Sequence, residues 1–205
     1  EENRVGDVLD HVIQIDNEKK HLLSDQSAPI TFDKLIIATD SKPSFNQWPS
    51  QELKGVQDVD NKRDLDLLEA DAPNAQVCKR AVVVGGGLIG IELAEMLHSR
   101  HIPVTFLVRE AHFWEGVLPT KNAKLLNDHI LSHGIDLRLN TELKQIIGGD
   151  QGKVKAVLTS NNELIECQLV GITTGVQPNI DFIKNTPIAL DKGILVNKYL
   201  ETNIA

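Results

Sequence analysis

Three glycines with the spacing Gly-x-Gly-x-x-Gly carry the strongest chemical signal in the sequence: Gly85, Gly87 and Gly90. They follow the strand-type run 80–84 and open the segment 88–100, whose apolar residues repeat with helical spacing. In that context the glycines allow a tight turn, close approach of the backbone to a pyrophosphate, and close packing of the helix on the strand. The sequence therefore predicts dinucleotide binding at the helix N-terminus, where free N–H groups and the helix dipole favour an anion. The residues expected to contact the cofactor are Gly85, Gly86, Gly87, Leu88, Ile89 and Gly90.

The end of the next predicted strand, 104–108, should contact the adenosine ribose of the dinucleotide. Val108 ends that strand, and Arg109 and Glu110 follow it. Arg109 could pair with a 2′-phosphate, and on Val108 and Arg109 the sequence favours NADP(H). Glu110 could instead accept hydrogen bonds from the ribose hydroxyls, which favours NAD(H). A third possibility is that both charges belong to a solvated loop without a ligand.

The elements around the glycines alternate between strand and helix. Apolar patterning predicts strands over 80–84, 104–108 and 135–139 and helices over 88–100 and 121–133, with Gly134 as the C-terminal cap of the second helix. This alternation is typical of an α/β fold with a parallel sheet. We therefore expect a Rossmann-type domain.

A weak internal repeat flanks this unit, at residues 12–43 and 143–178. Each copy predicts an antiparallel β-meander that feeds one more buried apolar strand, 35–40 in the first copy and 170–175 in the second. Each copy then ends in Thr-x-x-x-Pro, at Pro43 and at Pro178. The predicted fold class is α/β, a three-layer Rossmann-type domain that includes an antiparallel meander.

Composition excludes several classes of function. The 205 residues carry a formal net charge of -8 without a Lys/Arg cluster, which argues against a nucleic-acid partner. No apolar run reaches the ~20 residues that span a bilayer, and no signal peptide opens the chain, so we expect no membrane association and a cytoplasmic location. Cys78 and Cys167 lack a metal-ligand spacing, and His129 and His133 lack a third ligand, so we predict no metal site.

Three stretches together resemble one known family. Residues 82–95 resemble the NAD(P)-binding segment of the pyridine nucleotide-disulfide oxidoreductases, and more closely the branch that contains ferredoxin, rubredoxin and nitrite reductases and NADH oxidases. Residues 33–43 are similar to the family's YDKLIIATGSxP motif, and residues 173–179 are similar to its ATGxxPN motif. The resemblance covers nearly the whole chain.

The resemblance implies an FAD domain that is interrupted by an NAD(P) domain. On that basis residues 1–46 are a partial FAD-domain segment, 47–175 are the NAD(P)-binding Rossmann domain, and 176–205 return into the FAD domain. The implied reaction passes hydride from NAD(P)H to FAD and then electrons to a second acceptor, either a redox protein or a small molecule.

The resemblance also implies roles for single residues. Glu92 matches a position near the contact between nicotinamide and flavin and is the predicted catalytic residue; the alternative is an exposed first-turn carboxylate that complements the helix dipole. The loop expected to lie under the nicotinamide or flavin contains Thr174, Gly175, Val176 and Pro178.

The sequence departs from the family pattern at several points. It lacks the first glycine motif, which would hold FAD, and it lacks a redox-active cysteine pair. Asp40 stands at a family glycine position, and so does His101, just before the second strand. We therefore expect the middle of a flavoenzyme that by itself neither holds FAD nor catalyses the reaction. The alternative is an NAD(H)-binding regulatory module without catalysis.

Overall fold

The computed structural model describes residues 6–44, 48–59 and 61–204, which form two compact units. The central unit is Pro43–Val176, and the terminal unit combines Glu1–Lys42 with Gln177–Ala205. The helices are α1 (Lys62–Asp71), α2 (Leu88–Ser99) and α3 (Thr120–Ser132). The strands are β1 (Val12–Asp16), β2 (His21–Ser24), β3 (Ile30–Thr31), β4 (Ser41–Pro43), β5 (Val56–Asp58), β6 (Ala81–Val84), β7 (Val104–Leu107), β8 (Asp136–Arg138), β9 (Leu143–Gly148), β10 (Val154–Thr159), β11 (Leu164–Glu166), β12 (Leu169–Ile172) and β13 (Val176–Pro178).

A five-stranded parallel sheet, in the order β5-β12-β6-β7-β8, forms the middle layer of the central unit. Every residue of β6, β7 and β12 is buried, as their mostly apolar sequences predict for strands covered on both faces. Ala81 is paired with Val104 on one side and with Leu169 on the other, so the carboxyl ends of these three strands lie at one edge.

The helices cover one face of this sheet. Leu93 and Leu97 of α2 and Ile130 of α3 pack in one cluster with Val83 and Phe106 of the strands. These side chains recur with the three-to-four-residue spacing that places them on one face of a helix. The helical spacing in the sequence therefore predicted this layer correctly.

The antiparallel meander β11-β10-β9 covers the opposite face. Val82 and Val84, which alternate with the helix-facing residues of β6, pack with Ile146 and Val157 of the meander. The three-layer α/β fold with an antiparallel meander is therefore confirmed, with strands in place of helices on the second face. None of the helices in the described ranges is long and apolar enough to cross a membrane.

Helix ends follow the chemistry of their sequences. Asn61 caps α1 by accepting from the Asp64 N–H, and the Asp64 carboxylate accepts from the Asn61 N–H in return. His101 after α2 and Gly134 after α3 both have left-handed backbone, with φ of 61° and 82°. Gly134 thus forms the predicted cap, and His101 occupies a conformation that histidine tolerates better than most residues.

The terminal unit contains the other predicted meander, a three-stranded antiparallel sheet in the order β1-β2-β3. Its small core is formed by Ile15, Ile183 and Ile188. Leu35 and Ile37 pack against this core and are partly buried.

The predicted strand over residues 35–40 is wrong. These residues have no regular secondary structure, and Ile36 is 90% exposed. A strand needs backbone hydrogen-bond partners, and no described strand pairs with this segment. The equivalent segment of the second repeat forms β12, which lies between β5 and β6.

Candidate nucleotide-binding site

Protein atoms pack closely against the glycine turn that follows β6. A Cβ at Gly85, where φ is 122°, would lie 2.4 Å from the Thr173 carbonyl oxygen, and a Cβ at Gly90 would lie 2.3 Å from the Gly85 carbonyl oxygen. A Cβ at Gly86 would lie 2.8 Å from Cγ1 of Val108. Around Gly87, by contrast, the nearest 4 Å are open. The turn therefore accepts only glycine on its protein side and is open on its other side.

The open side of this turn is the N-terminus of α2. Gly87 is the N-cap residue and has no side chain with which to bond the first N–H groups of the helix. Leu88 and Ile89 follow it and are exposed. These N–H groups and the helix dipole are therefore available to an anion.

Thr173 ties the turn to the neighbouring strand. Its hydroxyl donates to the Val84 carbonyl at 3.0 Å and to the Gly85 carbonyl at 3.3 Å, and its N–H donates to Val84 at 2.8 Å. Thr173 is buried, so these bonds are shielded from water. The turn is therefore held in position before any ligand arrives.

A cavity of about 450 Å³ lies over this edge of the sheet, within the central unit. Its volume lies in the range of small-molecule sites. The residues that line it are Trp48, Val84, Gly85, Gly86, Gly87, Leu107, Arg109, Glu110, Trp114, Glu115, Gly116, Val117, Thr141, Glu142, Leu143, Thr173, Thr174 and Gly175.

The structure brings one group of the sequence-predicted residues together at this cavity: Gly85, Gly86, Gly87, Arg109, Glu110, Thr174 and Gly175. Leu88, Ile89 and Gly90 continue into α2, and Val108 is buried against Gly86. Val176 and Pro178 bound β13, which follows this loop. The predicted roles of these residues in cofactor binding stay predictions.

Glu92 is the fifth residue of α2 and is exposed. The first turn of α2 contains no acidic residue, so the alternative interpretation of Glu92 as a first-turn carboxylate is wrong. Glu92 does not line the cavity of the central unit.

The Glu110 carboxylate lies next to the glycine turn. One Glu110 carboxylate oxygen, Oε2, is 3.6 Å from the Cβ position of Gly86. The other, Oε1, accepts a 2.7 Å hydrogen bond from Nε of Arg109. This hydrogen bond raises the pKa of the Arg109 guanidinium, whose side chain is 74% exposed against 35% for Glu110. The two charged side chains therefore form an ion pair, in which the carboxylate is the less exposed partner.

Two tryptophans, Trp48 and Trp114, also line the cavity. Trp48 donates from Nε1 to the Leu143 carbonyl at 3.0 Å, which holds its ring beside the start of β9. Trp114 lies in the loop after β7 and is next to buried Phe113, with the two ring centroids 6.0 Å apart. Trp114 had a signal in the sequence, because it follows Arg109 and Glu110 in the loop that should meet the adenosine. Trp48 had no such signal.

The cysteines Cys78 and Cys167 and the histidines His129 and His133 do not line the cavity. In the described ranges no group of three or more His, Cys, Asp or Glu side chains could hold a metal ion. Burial raises the pKa of the Cys78 thiol to about 11 and that of the Cys167 thiol to about 12. Both thiols are therefore protonated near neutral pH and behave as small apolar side chains.

Comparisons with known proteins show the family of the chain. The family model of the pyridine nucleotide-disulphide oxidoreductases matches residues 2–205. The chain is 30% identical to the nitrite reductase [NAD(P)H] of Bacillus subtilis (strain 168) over 193 residues, which is 94% of this chain and 23% of the relative. It is 27% identical to the rhodocoxin reductase of Rhodococcus erythropolis, over 93% of this chain and 44% of the relative.

A solved structure shows the same fold. The ferredoxin reductase for the CYP199A2 system from Rhodopseudomonas palustris superposes with a TM-score of 0.89 at 23% identity, and the match covers 96% of this chain and 48% of that one. The chain thus spans between about a quarter and a half of the length of these proteins. The family match over nearly all residues confirms the resemblance stated from the motifs: the chain belongs to the pyridine nucleotide-disulphide oxidoreductase family.

Proposed function

We propose that this chain binds a nicotinamide dinucleotide in the cavity over Gly85–Gly90. The glycine turn is the observation that supports this most strongly. Added Cβ atoms at Gly85, Gly86 and Gly90 would clash with protein, while Gly87 and the α2 N-terminus stay open to a ligand. This is the arrangement that a pyrophosphate requires, since backbone N–H groups must approach it directly.

The remaining groups have consistent places around that pyrophosphate. Glu110 and Arg109 would contact the adenosine ribose, because they follow the strand next to β6. Thr174, Gly175 and Val176 follow β12 on the other side of β6 and would support the nicotinamide half. Roles for Glu92 and Pro178 toward nicotinamide and flavin rest on the family resemblance.

The position of the Glu110 carboxylate favours NADH over NADPH. It lies against Gly86, where it can accept hydrogen bonds from ribose hydroxyls, and it would repel a 2′-phosphate. Arg109 already pairs with this carboxylate and therefore reduces the repulsion without abolishing it. We therefore propose a preference for NADH with measurable binding of NADPH.

For the longer protein we propose an FAD-dependent oxidoreductase. In such enzymes the nicotinamide supplies hydride to the flavin, and the protein positions the two rings. In the described ranges Gly85–Gly90 is the one glycine-rich turn between a strand and a helix, so these residues offer no second pyrophosphate site for FAD. The isolated chain is therefore expected to bind dinucleotide and to lack activity.

The names of two compared proteins bear on the electron acceptor. One relative is named as a reductase of rhodocoxin and a structural neighbour as a ferredoxin reductase. We propose a redox protein as the acceptor of the longer protein.

Parallel calorimetric titrations of the 205-residue chain with NADH and NADPH test the proposal. We expect saturable binding of both, with NADH at least about fivefold tighter, which corresponds to ~1 kcal/mol. Glu110→Gln should remove the preference, while Gly90→Ala should abolish binding of both. Equal affinity of the wild-type chain for both dinucleotides would contradict the role of Glu110, and binding of neither would contradict the proposed function.

A further inference from the structure

One buried polar side chain lies on the sheet-facing side of α3. Asn127 is 6% exposed and has buried Ala123 and Ile130 as its neighbours on this face. A buried amide is costly unless its hydrogen bonds are satisfied, so an apolar residue would serve better here if packing were the only requirement. The contacts of Asn127 therefore indicate why an amide stands at this position.

Both ends of the Asn127 amide bond the loop that follows β7. Its Oδ1 accepts from the Phe113 N–H at 2.9 Å, and its Nδ2 lies 3.0 Å from Nδ1 of His112. A backbone N–H can only donate, which fixes the oxygen toward Phe113 and the NH₂ toward His112. In this arrangement Nδ1 of His112 is the acceptor for the amide NH₂.

The clamped residues lead directly into the wall of the cavity. Phe113 is buried beside Phe106, and the next residue is Trp114, whose backbone is left-handed with φ of 59°. The Trp114 carbonyl accepts from the N–H groups of Val117 and Leu118, both at 2.9 Å, which closes the loop into a turn. Trp114, Glu115, Gly116 and Val117 all line the cavity.

We propose that Asn127 is a positioning residue for the adenosine side of the dinucleotide site. This inference rests on the proposed function. Asn127 touches no ligand itself. Its two hydrogen bonds hold His112 and Phe113, and these residues in turn set the positions of Trp114 and Val117 in the cavity lining. Without these two hydrogen bonds, the loop is still anchored by the buried ring of Phe113, but it is no longer held at a fixed distance from the glycine turn.

A double-mutant cycle on the full 205-residue chain tests this link. The variants are Asn127→Leu, His112→Phe, the double variant, and Asn122→Leu as a matched control on an exposed position of the same helix. The ligands are NADH and ADP-ribose, which contains the adenosine and pyrophosphate without nicotinamide. Circular dichroism establishes that each variant is folded at the titration temperature, and tryptophan emission reports the surroundings of Trp48 and Trp114.

We expect Asn127→Leu to weaken both ligands by the same factor, about tenfold, because the lost contacts lie on the adenosine side. His112→Phe should weaken them about threefold, and the double variant should bind no more weakly than Asn127→Leu, since both changes break one link. Asn122→Leu should bind like the wild-type chain. Both tryptophan emission and affinity should change in Asn127→Leu.

Wild-type affinity for ADP-ribose in a folded Asn127→Leu variant, or additive effects in the cycle, would overturn the inference and leave the proposed function intact. If Asn127→Leu does not fold, His112→Phe decides alone, and wild-type affinity in it overturns the inference. A wild-type chain that binds neither ligand overturns both proposals.

Discussion

Residues 35–43 and 170–178 end the two repeats of this chain with nearly the same pattern, yet only one of them contains a buried strand. Val170 in β12 is fully buried and has parallel neighbours on both sides. At 35–37 one face of the segment packs on the small core of the terminal unit while Ile36 is 90% exposed. An apolar run thus becomes a strand only where neighbouring strands supply its hydrogen bonds and a second layer covers it.

The largest test of this difference places a charge in each copy. Val170→Asp buries an unpaired carboxylate in the middle of the parallel sheet and should lower the free energy of unfolding by about 4 kcal/mol or more. Ile36→Asp leaves the new charge in water and should change it by less than about 0.5 kcal/mol. Urea unfolding followed by circular dichroism measures both changes, and tryptophan emission isolates the central unit, which contains both Trp48 and Trp114.

Leu35→Asp is the intermediate case, because Leu35 is half-buried against the terminal core. Its effect should fall between the other two and should leave the tryptophan transition unchanged. A cost for Ile36→Asp as large as that for Val170→Asp would mean that the first copy does form a covered strand in solution.

The same contrast explains how far the sequence predicts this molecule. The glycine turn was predictable because Gly85 and Gly90 meet local steric demands, which the spacing of the glycine motif expresses. The helices and the parallel sheet were predictable from the periodicity of apolar residues, because that periodicity reflects which side chains of a segment are buried. Residues 35–40 have the same local pattern as β12 but do not form a strand. What the local pattern does not contain is whether neighbouring strands are present to pair with the segment.

The contacts of Trp48 and Asn127 were not predictable for a related reason. Trp48 reaches the site through a hydrogen bond to Leu143, and Asn127 acts through Phe113 and His112. These contacts join residues far apart in the chain and follow no motif. The Glu110 carboxylate is less exposed than the Arg109 guanidinium. This difference likewise depends on the fold of the loop, which the types of the two charged residues alone do not predict.

Acid should loosen one turn of the first meander and leave the second meander unchanged. The Asp10 carboxylate accepts from the N–H groups of His11 and Ser27, both at 2.8 Å, and these bonds help to hold the turn between β2 and β3. A hydrogen bond from the Ser27 hydroxyl is the main cause that lowers the pKa of Asp10 below its ordinary 3.8. Because the pKa of the folded state is the lower one, this stabilisation is fully present above about pH 4 and is lost as pH falls through the folded pKa.

Amide hydrogen exchange between pH 7 and pH 2.5 measures this effect, after correction for the intrinsic pH dependence of exchange. Protection of the Ser27 amide should decrease in acid, and Asp10→Asn should remove most of that dependence. The turn between β10 and β11 is the internal control, because the Thr159 hydroxyl there accepts from the Glu163 N–H and carries no charge. Equal loss of protection in both turns would indicate general acid unfolding and would contradict the assignment to Asp10.

The last comparison concerns the residue that follows the threonine of the Thr-x-x-x-Pro ending in each copy, Asp40 in the first and Gly175 in the second. Asp40 has φ of 54°, within the left-handed region that aspartate tolerates, and its carboxylate accepts from the Ser41 N–H at 2.8 Å. Asp40→Gly relieves the left-handed strain but loses this bond and gains unfolded-state entropy, so the free energy of unfolding should change by less than about 0.5 kcal/mol. Gly175 has φ of 114° with open space around a Cβ, so Gly175→Asp should cost about 2 kcal/mol through backbone strain alone. Urea unfolding midpoints of the two single variants measure the difference. A cost below about 0.5 kcal/mol for Gly175→Asp would show that the loop at Gly175 relaxes to an ordinary backbone angle. The two copies would then differ only in whether their apolar segment forms a strand.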